Sequence, residues 1–278
     1  MYMFRAAFFL LTLLSCVGMA HAGVPLVGHK AVYDIKLLSS KNGSQIVGIG
    51  GQMTFSWNPS CDGWITDSSF KLRYDYADTD PSFIESHFTT HESLDHKELQ
   101  FSSRRLRNGA EDERIRGSAT SQKAIYIMPQ KEMHNLSSST IFPTKHTLNL
   151  IHAARTGKKF IASHVFDGSD REGVMDISTV IGKPKTGQLF VRPPRDNKVD
   201  VKSIDQTLLR GTSWPLRMAF FTATEDQLNA DYEMSLVLHE NGIISDMIID
   251  YSDFTIRQKL VSLKTIPVEQ CGRAGKDR

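Results

Sequence analysis

Apolar and polar residues alternate along most of this chain of 278 residues, and this two-residue period is what most limits its fold. Ala31, Tyr33, Ile35 and Leu37, for example, lie on one side of an extended strand. Asn-Gly dipeptides, which suit the positive φ angles of tight hairpin turns, occur at residues 42–43, 108–109 and 241–242. The sequence therefore predicts a mainly β protein.

One segment has helical spacing instead. It begins at Phe142-Pro143-Thr144, with proline in the first turn, and Gly157 is expected to end it. A single short helix must bury its apolar stripe against the sheet or inside a barrel. His146 and His152 lie on this helix and are interpreted as packing or solvent-facing residues.

The N-terminal residues 1–22 have the three parts of a secretory signal peptide: a charge at Arg5, a short apolar run, and Ala20-His21-Ala22. Cleavage is predicted between Ala22 and Gly23. A retained anchor and lipidation of Cys16 are the alternatives. The predicted divisions are a signal peptide at 1–22, a single β domain at 23–272 and a disordered polar tail at 273–278. The mature chain contains no further apolar stretch long enough for a transmembrane helix.

Removal of the signal peptide leaves two cysteines, Cys61 and Cys271, which are 271 − 61 = 210 positions apart. Two cysteines in an exported chain most simply form one disulfide, and two unpaired, buried cysteines are the alternative.

The chemistry-bearing motifs are few. A Gly-x-Ser-x-Gly elbow, a phosphate-binding Gly-x-x-x-x-Gly-Lys loop and a His-Glu-x-x-His motif are all absent from the sequence. His87, His91 and His96 are interpreted as exposed strand residues, with a metal site as the alternative. The segment 167–170 is interpreted as a turn rather than a calcium loop. We therefore expect no enzymatic activity, no metal and no cofactor, and the net charge of +2 gives no electrostatic case for nucleic acid.

A proline-rich, basic arm follows residue 182. Its cations are Lys183, Lys185, Arg192 and Arg195. It is predicted to project as an irregular loop, either simply solvated or in contact with an acidic partner or a lipid headgroup.

Several landmarks occur in a fixed order along the chain. They are His29-Lys30-Ala31-x-Tyr33-Asp34, Gly50-Gly51-x-Met53-x-Phe55, Cys61-Asp62-Gly63-Trp64, Phe142-Pro143-Thr144, Phe166-Asp167-Gly168-Ser169, Trp214-Pro215, Glu240-Asn241-Gly242, Asp250-Tyr251-x-Asp253-Phe254 and Cys271. This set resembles the EipB family, periplasmic cell-envelope integrity proteins of α-proteobacteria that form a domain of unknown function. The resemblance spans His29 to Cys271, and Lys30 departs from the arginine expected there.

The resemblance implies a large open β-barrel, or β-spiral, of about 14 antiparallel strands with one or two short helices. It implies a Cys61–Cys271 disulfide, a periplasmic location and no enzymatic activity. It also implies a likeness to carriers that hold lipoprotein acyl chains, and a partner built of tetratricopeptide repeats. A monomer is expected.

Three hypotheses for function remain open at this point. The concave sheet could bind a lipid, an acyl chain or an apolar segment of a partner, for which a cavity lined by Phe, Met and Leu is required. The protein could instead be a scaffold that uses the basic arm, or a hydrolase without a recognisable motif.

Overall fold

The computed structural model describes residues 26–186, 203–222, 229–267 and Cys271. The strands are β1 (His29–Ser40), β2 (Ile46–Pro59), β3 (Gly63–Tyr76), β4 (Ser82–Ser93), β5 (Glu98–Arg107), β6 (Ala110–Thr120), β7 (Lys123–Met128), β8 (Glu132–Asn135), β9 (Thr140–Ile141), β10 (Phe160–Phe166), β11 (Val174–Ile181), β12 (Lys185–Thr186), β13 (Thr212–Thr222), β14 (Tyr232–His239), β15 (Ile244–Tyr251) and β16 (Phe254–Thr265). One α-helix, α1 (Pro143–Arg155), and a 3-10 helix at Gln206–Leu209 complete the described elements.

These strands form one sheet of 16 strands in the order β8-β7-β6-β5-β4-β3-β2-β1-β16-β15-β14-β13-β11-β10-β9, with β12 beside β13. Neighbouring strands are antiparallel except β9 and β10, which are parallel. The sheet does not close, because β8 and β9 end it without pairing with each other. The prediction of a mainly β, open barrel-like protein is confirmed. The strand count exceeds 14 by the two-residue strands β9 and β12.

The turns follow the local sequence. Gly43 has φ of 88° and Gly242 has φ of 90°, a region that glycine enters without steric cost. The predicted helix begins at Pro143 as expected and stops at Arg155, just before Gly157 with φ of 78°.

Besides strand pairing, side-chain contacts bring the two ends of the curved sheet together. Phe101 and Tyr126, on β5 and β7, pack against Phe166 at the end of β10. The Tyr126 hydroxyl also donates a hydrogen bond to the backbone oxygen of Asp170, at 3.1 Å. The sheet is thus held in its curved form by side-chain packing across the unpaired edges.

Cys61 and Cys271 form a disulfide, with their Cα atoms 5.5 Å apart. The register of β1 explains why they meet. His29 pairs with Trp57 of β2 on one side and with Thr265 of β16 on the other, so the ends of β2 and β16 lie close together. Both cysteines are exposed, which does not fit the alternative of two unpaired, buried thiols.

Candidate ligand-binding cavity

The concave side of the sheet and α1 enclose an apolar cavity of about 300 Å³. This is near the lower end of the range for small-molecule sites in proteins. The apolar lining is dominated by flexible and aromatic side chains: Met53, Met218, Met234, Met247, Phe55, Phe220, Trp57, Leu150, Leu216, Leu236 and Leu238. The described interior is therefore not filled by its own side chains.

Strand alternation builds this lining. Leu216 and Met218 of β13 face inward, and they pair in register with Leu236 and Met234 of β14. Leu236 in turn pairs with Met247 of β15. Because alternate residues of each strand point to the same face, three neighbouring strands present a continuous apolar row to the cavity.

Helix α1 forms one wall of the cavity through residues of its first two turns. Its N-cap residue, Phe142, makes no side-chain cap hydrogen bond. The cap is supplied by Glu92, near the end of β4. The Glu92 carboxylate accepts hydrogen bonds from the backbone N–H groups of Thr144 (2.7 Å) and Lys145 (2.9 Å).

Glu92 is only 1% exposed, and its Oε1 also lies 2.7 Å from Nδ1 of His96. A buried carboxylate is tolerated there because it meets the positive end of the helix dipole, two N–H donors and an imidazole. The sheet therefore fixes the helix that walls the cavity by a charged, buried hydrogen-bond group.

The polar groups of the lining are few, and most have partners. The Tyr33 hydroxyl donates to the backbone oxygen of Ile244 at 2.7 Å, and His29 Nδ1 donates to that of Val27 at 2.8 Å. In contrast, Trp57 Nε1 and His146 Nε2 are buried with no hydrogen-bond partner among the described residues. Unpaired buried polar atoms are uncommon and call for an explanation.

Two ionisable side chains of the lining have displaced pKa values. Burial raises the pKa of the Asp167 carboxyl, opposed by its hydrogen bond from Ser169 N. Burial lowers the pKa of His146 to about 4. Both shifts favour the uncharged form, because an apolar cavity solvates charge poorly. The cavity is suited to an apolar guest.

The pKa of His146 leads to a prediction for stability. Its folded pKa of about 4 lies below the ordinary histidine value of 6.5, so the stability that neutral His146 contributes is complete above pH 6.5. That stability is lost as the pH falls from 6.5 towards 4. Relative to His146→Leu, the wild type should lose about 2 kcal/mol of unfolding free energy between pH 7 and pH 4.5. Urea denaturation of the wild type and of His146→Leu at the two pH values measures this difference in unfolding free energy.

The matched control is His152→Leu, at an exposed position of the same helix. This variant should follow the wild-type pH dependence. A parallel pH dependence for wild type and His146→Leu would contradict the assignment of the effect to His146.

The other predicted site residues lie elsewhere. Lys183 and Lys185 are exposed on the outer side, and Lys185 pairs with Ser213 through β12. Arg192, Arg195, Ala22 and Gly23 lie outside the described residues.

The candidate metal ligands do not converge. Each histidine contacts a different carboxylate. His87 Nε2 lies 3.3 Å from Asp67 Oδ2, and His91 Nε2 lies 3.2 Å from Asp62 Oδ1. His96 Nδ1 lies 2.7 Å from Glu92 Oε1. Within the described ranges no three His, Cys, Asp or Glu side chains form a metal-binding group. His87 is an exposed strand residue, as interpreted. His91 lies on β4 but is only partly exposed, and His96 lies in the turn after β4 and is mostly buried.

Sequence reasoning did not identify Glu92, Trp57 or Asp167 as site residues. The sequence assigns Asp167 only to a turn, where its carboxylate accepts a hydrogen bond from the Ser169 N–H at 2.8 Å. The signal that was available for Glu92 was a helix start at Phe142 that lacks a capping side chain of its own.

The fold and cavity define an open, barrel-like β protein with an apolar interior beside a helix. The family model described as EipB-like matches residues 20–267, and the chain belongs to this family. It is 32% identical over 251 residues to the cell envelope integrity protein EipB of Brucella abortus (strain 2308), covering 88% of this chain and 86% of that protein.

A solved structure is similar as well. It is the crystal structure of a beta-barrel-like protein of a domain of unknown function, DUF1849, from Brucella abortus. The match has a TM-score of 0.78 and 29% identity, and covers 88% of this chain and 100% of that one. The resemblance to the EipB family is confirmed. None of the matched descriptions names an enzymatic activity.

In the part of the chain that the structure describes, the helices are too short or too polar to cross a membrane.

Proposed function

We propose that this protein is a non-enzymatic periplasmic protein that supports cell-envelope integrity by holding a lipid acyl chain, or an apolar segment of a partner, in its concave sheet. The observation that carries this proposal is the apolar cavity of about 300 Å³ between the sheet and α1. The role in the envelope is supported by the relative named for envelope integrity. The periplasmic location is supported by the signal-like residues 1–22 and by the disulfide, a bond typical of oxidising compartments.

Methionine is well suited to the proposed function. Its unbranched, polarisable side chain adapts to guests of different shape, and four methionines line this cavity. Each methylene of a guest that leaves water contributes about 0.8 kcal/mol, so an acyl chain would gain affinity from length alone.

Native mass spectrometry of protein purified from the periplasm without detergent tests the proposal directly. An added mass that matches a phospholipid or an acyl chain supports it. A bare mass, together with no binding of added lipid, would count against lipid binding. The same spectrum reports the N-terminal residue and so tests cleavage before Gly23.

A substitution inside the cavity gives a second test. Met234 is half-buried and lines the cavity, so the indole of Met234→Trp is expected to occupy part of the space. Overpacking costs about 1–3 kcal/mol, so the variant should still fold. Its affinity for the neutral apolar dye N-phenyl-1-naphthylamine should fall by about tenfold or more, as measured by fluorescence titration. Ser235→Trp, at the exposed neighbouring position of β14, should bind as the wild type does.

The alternative function is a scaffold for a periplasmic tetratricopeptide-repeat protein. It is favoured by an outer-face groove lined by Val180, Pro215, Val237 and Ile248, near the exposed Lys183. Val180 is 54% exposed there. Combined charge reversal of Lys183, Lys185, Arg192 and Arg195 should then reduce recovery of the partner in pull-downs. Unchanged recovery would argue against this arm as the contact.

A further inference from the structure

We propose that the cavity selects an uncharged acylated molecule, with the carbonyl of its ester or amide link held inside, and rejects a free carboxylate or phosphate. This inference rests on the proposed function and specifies the chemical class of its ligand. It follows from three features of the lining.

The first feature is the absence of a counter-ion. Among the described residues that line the cavity there is no Lys and no Arg, and the acidic residue there is Asp167. An anionic head brought inside would be desolvated without a cationic partner and would face this carboxyl group. Burying an unpaired ion costs several kcal/mol even after relaxation, which favours a guest without charge.

The second feature concerns the N-terminus of α1, which faces the cavity through Pro143 and Thr144. A helix N-terminus normally attracts anions through its free N–H groups and its dipole. Here the Thr144 and Lys145 N–H groups are already bound by the Glu92 carboxylate, and the His146 N–H donates to the backbone oxygen of Phe142. The protein's own carboxylate thus occupies the place that a ligand anion would take.

The third feature is a pair of unpaired nitrogens. Trp57 is 4% exposed and His146 is 7% exposed, both line the cavity, and Trp57 Nε1 and His146 Nε2 lack partners among the described residues. An indole N–H can only donate, so the group that satisfies it must be an acceptor. An ester or amide carbonyl is a neutral acceptor attached to an acyl chain. Leaving such a buried donor unpaired is unfavourable, so a neutral carbonyl held beside it strengthens binding. The rejection of anions follows from the missing counter-ion.

The test compares two ligands with the same chain, 1-palmitoylglycerol and palmitate, at about pH 7.5, where the carboxyl of palmitate is ionised. Each displaces N-phenyl-1-naphthylamine from the full mature protein at concentrations below micelle formation. The neutral ester should bind about tenfold more tightly. Equal or tighter binding of palmitate would overturn the selectivity and leave the proposed function intact. Binding of neither lipid would instead contradict the proposed function.

Trp57→Phe tests the donor, because it keeps an aromatic ring and removes the N–H. Its affinity for 1-palmitoylglycerol should fall by about three- to tenfold while its affinity for palmitate stays the same. The matched control is Trp64→Phe. Trp64 lies against Trp57, with ring centroids 5.1 Å apart, and is not part of the cavity lining. An unchanged preference in Trp57→Phe would show that the indole does not bind the ligand. The wild-type comparison decides the selectivity even if this variant does not fold.

Discussion

Replacement of Glu92 by alanine is expected to lower the free energy of unfolding by about 3–5 kcal/mol. The reason is that the substitution leaves the Thr144 and Lys145 N–H groups and His96 without their carboxylate partner in a site from which water is largely excluded. Urea denaturation followed by circular dichroism measures the loss. Because α1 is a wall of the cavity, ligand affinity should fall together with stability.

The conservative variant Glu92→Gln should lose less, about 1–3 kcal/mol, since it keeps one acceptor and the shape of the side chain. Glu98→Ala serves as the control at an exposed position and should change stability by no more than about 0.5 kcal/mol. A loss below about 1 kcal/mol in Glu92→Ala would contradict the capping role.

The second large effect concerns the disulfide. The double variant Cys61→Ser/Cys271→Ser should be less stable by about 2–4 kcal/mol, with about 5 kcal/mol as the upper bound from loop-closure entropy. The bond spans 210 positions, so its loss greatly enlarges the conformational freedom of the unfolded chain. Both cysteines are exposed, so serine introduces no buried polar group.

Reductant provides the internal control for this prediction. The wild type treated with dithiothreitol should melt at the temperature of the double variant, and the variant should not respond to reductant. The variant should also be degraded faster by protease. Equal melting temperatures for the oxidised wild type and the double variant would mean that the crosslink does not contribute to stability.

Local sequence patterns predicted much of the sheet. The alternating residues Ala31, Tyr33, Ile35 and Leu37 lie in β1, as predicted, and α1 begins at Pro143, where proline favours a first turn. The short strands β7, β8 and β9 were not predicted. These segments are too short to show a clear alternation of apolar and polar residues. The edge strand β8 depends on its pairing with β7.

The site was harder to predict than the fold, for a physical reason. Glu92 reaches Thr144 across 52 positions of sequence, and the contact exists only once β4 and the start of α1 are adjacent in space. No local pattern encodes that adjacency. The apolar inward faces were predictable by alternation, whereas whether they meet or leave a cavity depends on the curvature of the whole sheet.

The central position of β1 and β16 has a consequence for how the molecule is made. Although β16 is the last described strand in sequence, it lies between β1 and β15 in the middle of the sheet, while the free edges come from the middle of the chain. During synthesis, more than two hundred further residues must therefore be added before β1 can pair with its second neighbour, β16. In a chain that stops before β16, β1 and β15 would keep β2 and β14 as partners but would each expose one unpaired edge, which favours aggregation and proteolysis. The topology therefore makes truncated chains more prone to aggregation and proteolysis than complete ones.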